Sequence, residues 1–319
     1  MTIWEAVEGE EVATCTNDRG ETHLAYEPAS DADLQKVLAW FAHRDARALI
    51  GNAVEDAIYY VLDGARTHRF DVMDERVDSD ERRTIGTKLQ FHVMENFELP
   101  RLRHPDTMVD GVGVEIKGTI GGNWAIPREG QCGVTLMIQA DVERDRQQAY
   151  LMRTHRCWLR EGANHDGKRG VVARSLAAHA VLLYPWAPLR PNPLKRLSDP
   201  DREAVFDLAD GQQVRLKRLF LALPHTEISR AAILTVCAGN EDPMRRVRAI
   251  RPQMRALGYE LLCGKWEAQR ELGSRLGFDL TGAAWVAIRV SEVDADDELG
   301  RRVREEIGWP DDAHPGQRD

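Results

Sequence analysis

Between Tyr184 and Leu194 the chain reads Tyr-Pro-Trp-Ala-Pro-Leu-Arg-Pro-Asn-Pro-Leu, four prolines in eleven residues. Proline locks φ and removes a backbone donor, so this density stops regular structure and favours an extended connector. With 319 residues there is chain enough for a separate core on either side. The break predicts two domains, 31–183 and 198–306, joined by a Pro-rich linker over 184–197. A polar, Glu-rich arm (1–30) precedes them and a polar tail (307–319) follows.

A hydrophobic content of 43% is that of a soluble globular protein. The N-terminus, Met-Thr-Ile-Trp-Glu-Ala-Val-Glu-Gly-Glu, is acidic and lacks the basic start and apolar core of a signal peptide. No apolar run is long enough to span a bilayer. Five cysteines (Cys15, Cys132, Cys157, Cys237, Cys263) are scattered, odd in number and form no Cys-x-x-Cys pair. That pattern predicts reduced thiols in a cytoplasmic protein and argues against structural zinc. A net charge of −9 looks unsuited to nucleic acid. Attraction to phosphate is local at physiological salt, however, and the acids concentrate at Asp71–Asp80 and Glu292–Asp312.

The first half opens with helical periodicity. Ser30 or Asp31 caps a helix carrying Leu34, Val37, Leu38 and Phe41. A second, Ala46 to Leu62, stops at Asp63-Gly64. Arg66-Thr-His-Arg69 reads equally as a surface loop or a phosphate contact. A helix from about Asp80 to Phe97 buries Ile85, Leu89, Val93 and Phe97 along one stripe. Gln90 and Glu95 sit off its centre, where either can face a neighbouring strand.

Next comes Asp106-Thr-Met-Val-Asp-Gly-Val-Gly-Val-Glu-Ile-Lys117. In an extended strand Glu115 and Lys117 share one face and Val114 and Ile116 the other. A hairpin bent at Gly111 and Gly113 brings Asp106 beside Glu115. Two carboxylates and an ammonium at one spot suit a Mg²⁺-dependent phosphodiester hydrolase, because hard oxygen ligands hold Mg²⁺ and the ion activates water. The spacing alone is weak: in a chain that is 30% charged, most acid-x-Lys strands merely carry a solvated face. The Gly-rich loop Gly118 to Glu129 follows, then a buried strand, Val134 to Ala140, with Ala149 to Thr154 as its neighbour.

Past the prolines, Ser198 opens a helix through Leu208; Gln212–Leu223 and Ser229–Ala238 are two more. Asp242-Pro243 starts a fourth, Met244-Arg-Arg-Val-Arg-Ala-Ile250. Tyr259–Cys263 and Trp285–Val290 read as paired strands. Helix, turn, basic helix and paired strands is the order of a winged helix-turn-helix. Arg245, Arg246, Arg248 and Arg251 then face a DNA groove, or the helix simply has a charged outer face.

Read together, both halves resemble the NaeI family of type II restriction endonucleases. The resemblance rests on Asp63-Gly-Ala-Arg-Thr67, Gly86-Thr87, Asp106-x8-Glu115-x-Lys117 and Trp124-Ala-Ile-Pro127. In the second half it rests on Val214–Phe220, Arg230–Val236, Met244–Arg248, Ile250-Arg-Pro252 and Leu261–Gly264. It implies an α/β (α+β) chain with a PD-(D/E)XK nuclease domain followed by a winged-helix DNA-binding domain. It further implies a homodimer engaging two copies of a double-stranded DNA site, and a cognate methyltransferase as functional partner. By that analogy Asp106 and Glu115 hold Mg²⁺ and Lys117 orients the attacking water. Gln90 stands where a metal-side Glu is expected, which keeps an oxygen but loses a charge. The rival readings are a DNA-binding regulator with a degenerate nuclease domain and a repair nicking endonuclease.

Overall fold

A computed structural model describes residues 13–238, 242–293 and 297–309. The chain forms two compact units. The first comprises the residues up to Val61 together with Val77–Arg190; the second comprises Leu62–Arg76 and the chain from Pro191 onward. No described helix is long and apolar enough to cross a membrane.

The first unit is built on a five-stranded mixed sheet. In sheet order its strands are Val181–Pro188, Arg146–Arg153, Val134–Asp141, Val112–Thr119 and Thr107–Val109. Val134–Asp141 lies parallel to Val112–Thr119 and antiparallel to Arg146–Arg153. This central strand is buried on both faces, which explains its nearly unbroken apolar sequence. A small sheet of Ala125–Ile126, Arg169–Val171 and Leu159–Ala163 contributes Ile126, Leu159 and Val171 to a core with Met137 and Met152. Trp124 completes that cluster and donates its indole N–H to the Ile138 carbonyl at 3.0 Å.

The helix Ser79–Asn96 begins in a capping box, with Asp78 accepting from the backbone of Asp80 and Glu81. It approaches the Lys117 strand unusually closely. A Cβ on Gly86 would stand 2.7 Å from the carbonyl oxygen of Gly118, and one on Gly118 would meet a Leu89 methyl at 2.5 Å. Two facing glycines therefore let helix and strand touch backbone to backbone.

Four expectations about domain layout change. The linker starts late: Val181–Pro188 is a strand, although it contains Pro185 and Pro188. It tolerates them because it is an edge strand whose pairing is interrupted by irregularities on either side of Tyr184. The arm 1–30 contains a hairpin, Thr14–Thr16 with Thr22–Leu24; residues 1–12 lie outside the described residues. Leu62–Arg76, placed by sequence in the first domain, belongs to the second unit. There the short helix Gly64–Thr67 packs on the helix Arg230–Cys237, and Phe70 stacks on Phe206 at 5.5 Å. Arg69 is buried and donates to the carbonyls of Leu62 and Arg76, so of that patch it is Arg69 that does not face a phosphate. Of the expected tail 307–319, Ile307 ends a helix and residues 310–319 lie outside the described residues.

The second unit packs the helices Gln212–Ala222, Arg230–Cys237 and Pro243–Ala249 around Leu216, Leu219, Phe220, Ile233, Val236 and Val247. Ser229 and Asp242 cap their helices through Ala232 and Arg245 backbone N–H groups. Tyr259–Cys263 pairs antiparallel with Trp285–Arg289, and Ile228 bridges to Trp285 on the other side. The two strands are not joined by a tight turn, because the helix Glu267–Arg275 lies between them in sequence.

Gly86→Ala tests the helix–strand approach. In an ordinary helix interior the change stabilises by roughly 0.5–1 kcal/mol. Here the methyl meets backbone, so a loss of about 1–3 kcal/mol is expected, read as a lower melting temperature. An unchanged or raised melting temperature would contradict the close approach.

Candidate functional site

The hairpin around Asp110-Gly111 places the charged groups. Both turn residues have positive φ, 48° and 79°, the primed-turn geometry that Asp-Gly supports. The ladder pairs Thr107 with Val114 and ends there. One residue earlier, Asp106 leaves the strand but its carboxylate continues the pairing: Oδ2 accepts the Ile116 N–H at 2.8 Å. A buried carboxylate thus takes the place of the next ladder partner at the end of the strand Thr107–Val109. Gln90, from the helix Ser79–Asn96, donates its amide to Oδ1. Lys117 Nζ lies 3.7 Å from Oδ2 and 2.5 Å from Glu115 Oε1.

The electrostatics are unbalanced. Asp106 is 8% and Glu115 4% exposed, and one ammonium stands between them. Burial pushes the Glu115 carboxyl above its ordinary value; Lys117 opposes this, while Asp106 and Glu129 add to it. A buried carboxylate whose neighbours leave it short of positive charge is a site for a cation. The donors are hard oxygens, so the residues fit Mg²⁺, with Asp106 and Glu115 as the side chains that would hold it.

All four residues expected at this site by sequence, Asp106, Glu115, Lys117 and Gln90, come together. Gln90 touches Asp106 through its N–H side, which gives it a positioning role toward that carboxylate. Sequence reasoning gave no part in the site to Glu129 or the Ile116 N–H; the first lies on the short 3-10 turn Arg128–Gly130, and the second is visible only once the ladder is known to stop at Thr107.

The expected nucleic-acid residues divide. On the helix Pro243–Ala249, Arg245 and Arg248 are exposed and Arg246 is partly buried. Arg251, expected beside them, is 7% exposed and turned inward. It donates to the Leu261 carbonyl at 2.8 Å and to Gln269 Oε1 at 2.9 Å, and lies 3.6 Å from the wholly buried Glu260. Trp266 and Trp285 flank its guanidinium at 5.6 and 5.4 Å. The reason is a break in the helix: Pro252 has no N–H to give back, so a separate helix, Arg251–Ala256, starts after Ile250. Arg251 is therefore an interior counter-charge, not a contact for DNA.

The family model described as Restriction endonuclease NaeI matches residues 35–303. No curated protein matches the chain. The matched stretch takes in the paired carboxylates of the first unit and the arginine helix of the second. With most of its length matched, the chain belongs to the NaeI restriction endonuclease family.

Proposed function

We propose that this restriction endonuclease is a Mg²⁺-dependent, type II site-specific enzyme that cuts both strands of DNA and leaves 5′-phosphate ends. The observation that carries this reading is the pair of buried carboxylates sharing one ammonium. Water attacks phosphorus in line with the 3′-oxygen, and the P–O3′ bond breaks. Lys117 orients the water and offers a positive charge to the phosphate. Asp106 is held in place by the Ile116 N–H and Gln90, so its oxygens keep one direction. Magnesium, when bound, neutralises phosphate charge and lowers the pKa of water. The hairpin, with an acid at its start and Glu-x-Lys on the next strand, is the arrangement expected of a PD-(D/E)XK nuclease.

The second unit we read as a winged helix. Its support is the order of elements: helix Gln212–Ala222, the bridge at Ile228, helices Arg230–Cys237 and Pro243–Ala249, then two paired strands. In this reading Arg245 and Arg248 meet the DNA backbone. The family further suggests a homodimer that engages two DNA sites, matching the two-fold symmetry of a palindromic target, and a methyltransferase that protects host DNA.

Incubation of the purified protein with supercoiled plasmid decides among the readings. Magnesium-dependent linearisation with 5′-phosphate ends is expected. Persistent nicking would favour a repair nickase, and retardation of DNA without cleavage would favour a regulator with a degenerate nuclease domain. Lys117→Ala should abolish cutting and leave DNA binding largely intact. Gln90→Ala should lower cutting by about 10- to 100-fold, the usual effect of losing a group that orients a ligand.

The displaced Glu115 carboxyl gives a pH signature. Its folded-state pKa is raised, so the neutral form is favoured in the folded protein, and ionising it costs stability as pH rises through that value. Glu115→Gln should raise the melting temperature of metal-free protein near pH 7 and bring no gain near pH 4. Equal gains at both pH values would remove the buried-charge argument. For the second unit, Arg245→Ala or Arg248→Ala should weaken DNA binding. Each should also lower the slope of log affinity against log salt by about 0.9 for every phosphate no longer neutralised. Arg251→Ala should instead destabilise the fold by about 1–3 kcal/mol, because it leaves the Leu261 carbonyl and Gln269 without their buried donor while Glu260 keeps Arg255.

A further inference from the structure

The fold brings together residues that the sequence scatters. Cys15 is the inward-facing middle residue of the strand Thr14–Thr16. Cys132 stands just before the central strand Val134–Asp141, and His155 just after Arg146–Arg153. The Cys15 and Cys132 sulfurs and a ring nitrogen of His155 all lie within 4.8 Å of one another, and all three residues are buried. Cys157 adjoins them: its backbone N–H points at Cys15 Sγ at 3.2 Å, while the residue itself is exposed.

His155 is the decisive group. It is fully buried, and neither ring nitrogen has a hydrogen-bond partner. A buried imidazole with both nitrogens unpaired is costly, of the order of 1–3 kcal/mol for each unsatisfied group. Its ring is held edge-on to Trp158, with centroids 4.7 Å apart. The Cys15 and Cys132 sulfurs are 3.9 Å apart. That is too long for a disulfide, at about 2.05 Å. It matches the roughly 3.8 Å between two sulfurs on a tetrahedral ion with Zn–S bonds of about 2.3 Å.

The surrounding contacts fix this geometry. Asp18, in the turn after the Cys15 strand, accepts from Arg156 at 2.9 Å, from Arg169 at 2.6 Å and from Gln131 at 2.8 Å. The Cys132 N–H donates to the Thr154 carbonyl at 2.9 Å. All three ligand-bearing segments are thus tied to one another independently of any ion.

We propose that Cys15, Cys132 and His155 form a structural zinc site separate from the carboxylate centre, the Cys157 thiol, exposed in this structure, turning inward as fourth ligand. Two or three thiolates and an imidazole make a soft donor set that takes Zn²⁺ in preference to Mg²⁺. Each thiol that ligates releases its proton to solvent as the ion binds. The ion pins the N-terminal hairpin to the sheet. It also steadies the wall behind the active site: two residues before Cys132, a Cβ on Gly130 would lie 3.4 Å from Glu115 Cγ.

Metal analysis of the full chain, purified without chelator from zinc-supplemented cells, should find one zinc ion per chain. Replacement by Co²⁺ should give the intense thiolate-to-cobalt charge-transfer band and strong tetrahedral d–d bands. Both signals should persist in Glu115→Gln, which separates this site from the carboxylate centre. They should be lost or much reduced in Cys132→Ser and His155→Ala. The wild-type cobalt spectrum decides the matter even where those variants fail to fold. Absence of the thiolate band in zinc-depleted, reduced wild-type protein given Co²⁺ would overturn the proposal. So would a Cys15–Cys132 disulfide in protein alkylated before purification.

Discussion

One ammonium between two buried carboxylates is the interaction on which the first unit is organised. Lys117 offers a single positive charge to Asp106 and Glu115, and burial leaves Glu115 reluctant to ionise. In the function proposed above, a divalent cation makes good the imbalance. Everything that fixes the carboxylates serves it: the Asp-Gly turn that ends the hairpin, the Ile116 N–H that anchors Asp106, and the helix that brings Gln90 alongside. The helix reaches that position because Gly86 and Gly118 remove two side chains from the contact. The same two stretches carry the family resemblance, and the packing supplies the reason: any side chain there would push Gln90 away from Asp106.

Much of this was legible in the residues. The helix Ala46–Leu62, the strand pair Tyr259–Cys263 and Trp285–Arg289, and the caps at Ser198 and Asp242 are local matters of periodicity and turn chemistry, and they stand where the pattern placed them. The Asp106–Lys117 hairpin was readable because its charged residues lie close in sequence and its turn is explicit. What failed was long-range. Proline content marks an end of regular structure only where the lost N–H is needed, and at the edge position of Val181–Pro188 it is not. The return of Leu62–Arg76 to the second unit has no local signature at all.

The charge pattern misled for a related reason: it counts residues without regard to facing. Arg251 belongs to the same arginine-rich run as Arg245 and Arg248. A helix break at Pro252 turns it inward onto Glu260, between two tryptophans. The cysteines argued against zinc because no Cys-x-x-Cys pair exists, yet a hairpin and two strand ends can assemble ligands without one. What a count leaves out is which way a side chain points, and tertiary packing decides that.

The claim that holds the account together is that a divalent ion belongs between Asp106 and Glu115. Anomalous scattering from a crystal of the DNA-free protein soaked in Mn²⁺ tests it directly. The account predicts a manganese peak bonded to oxygens of both carboxylates, with the Lys117 ammonium displaced from Glu115. A peak elsewhere, with Lys117 still closed onto both acids at saturating Mn²⁺, would contradict it.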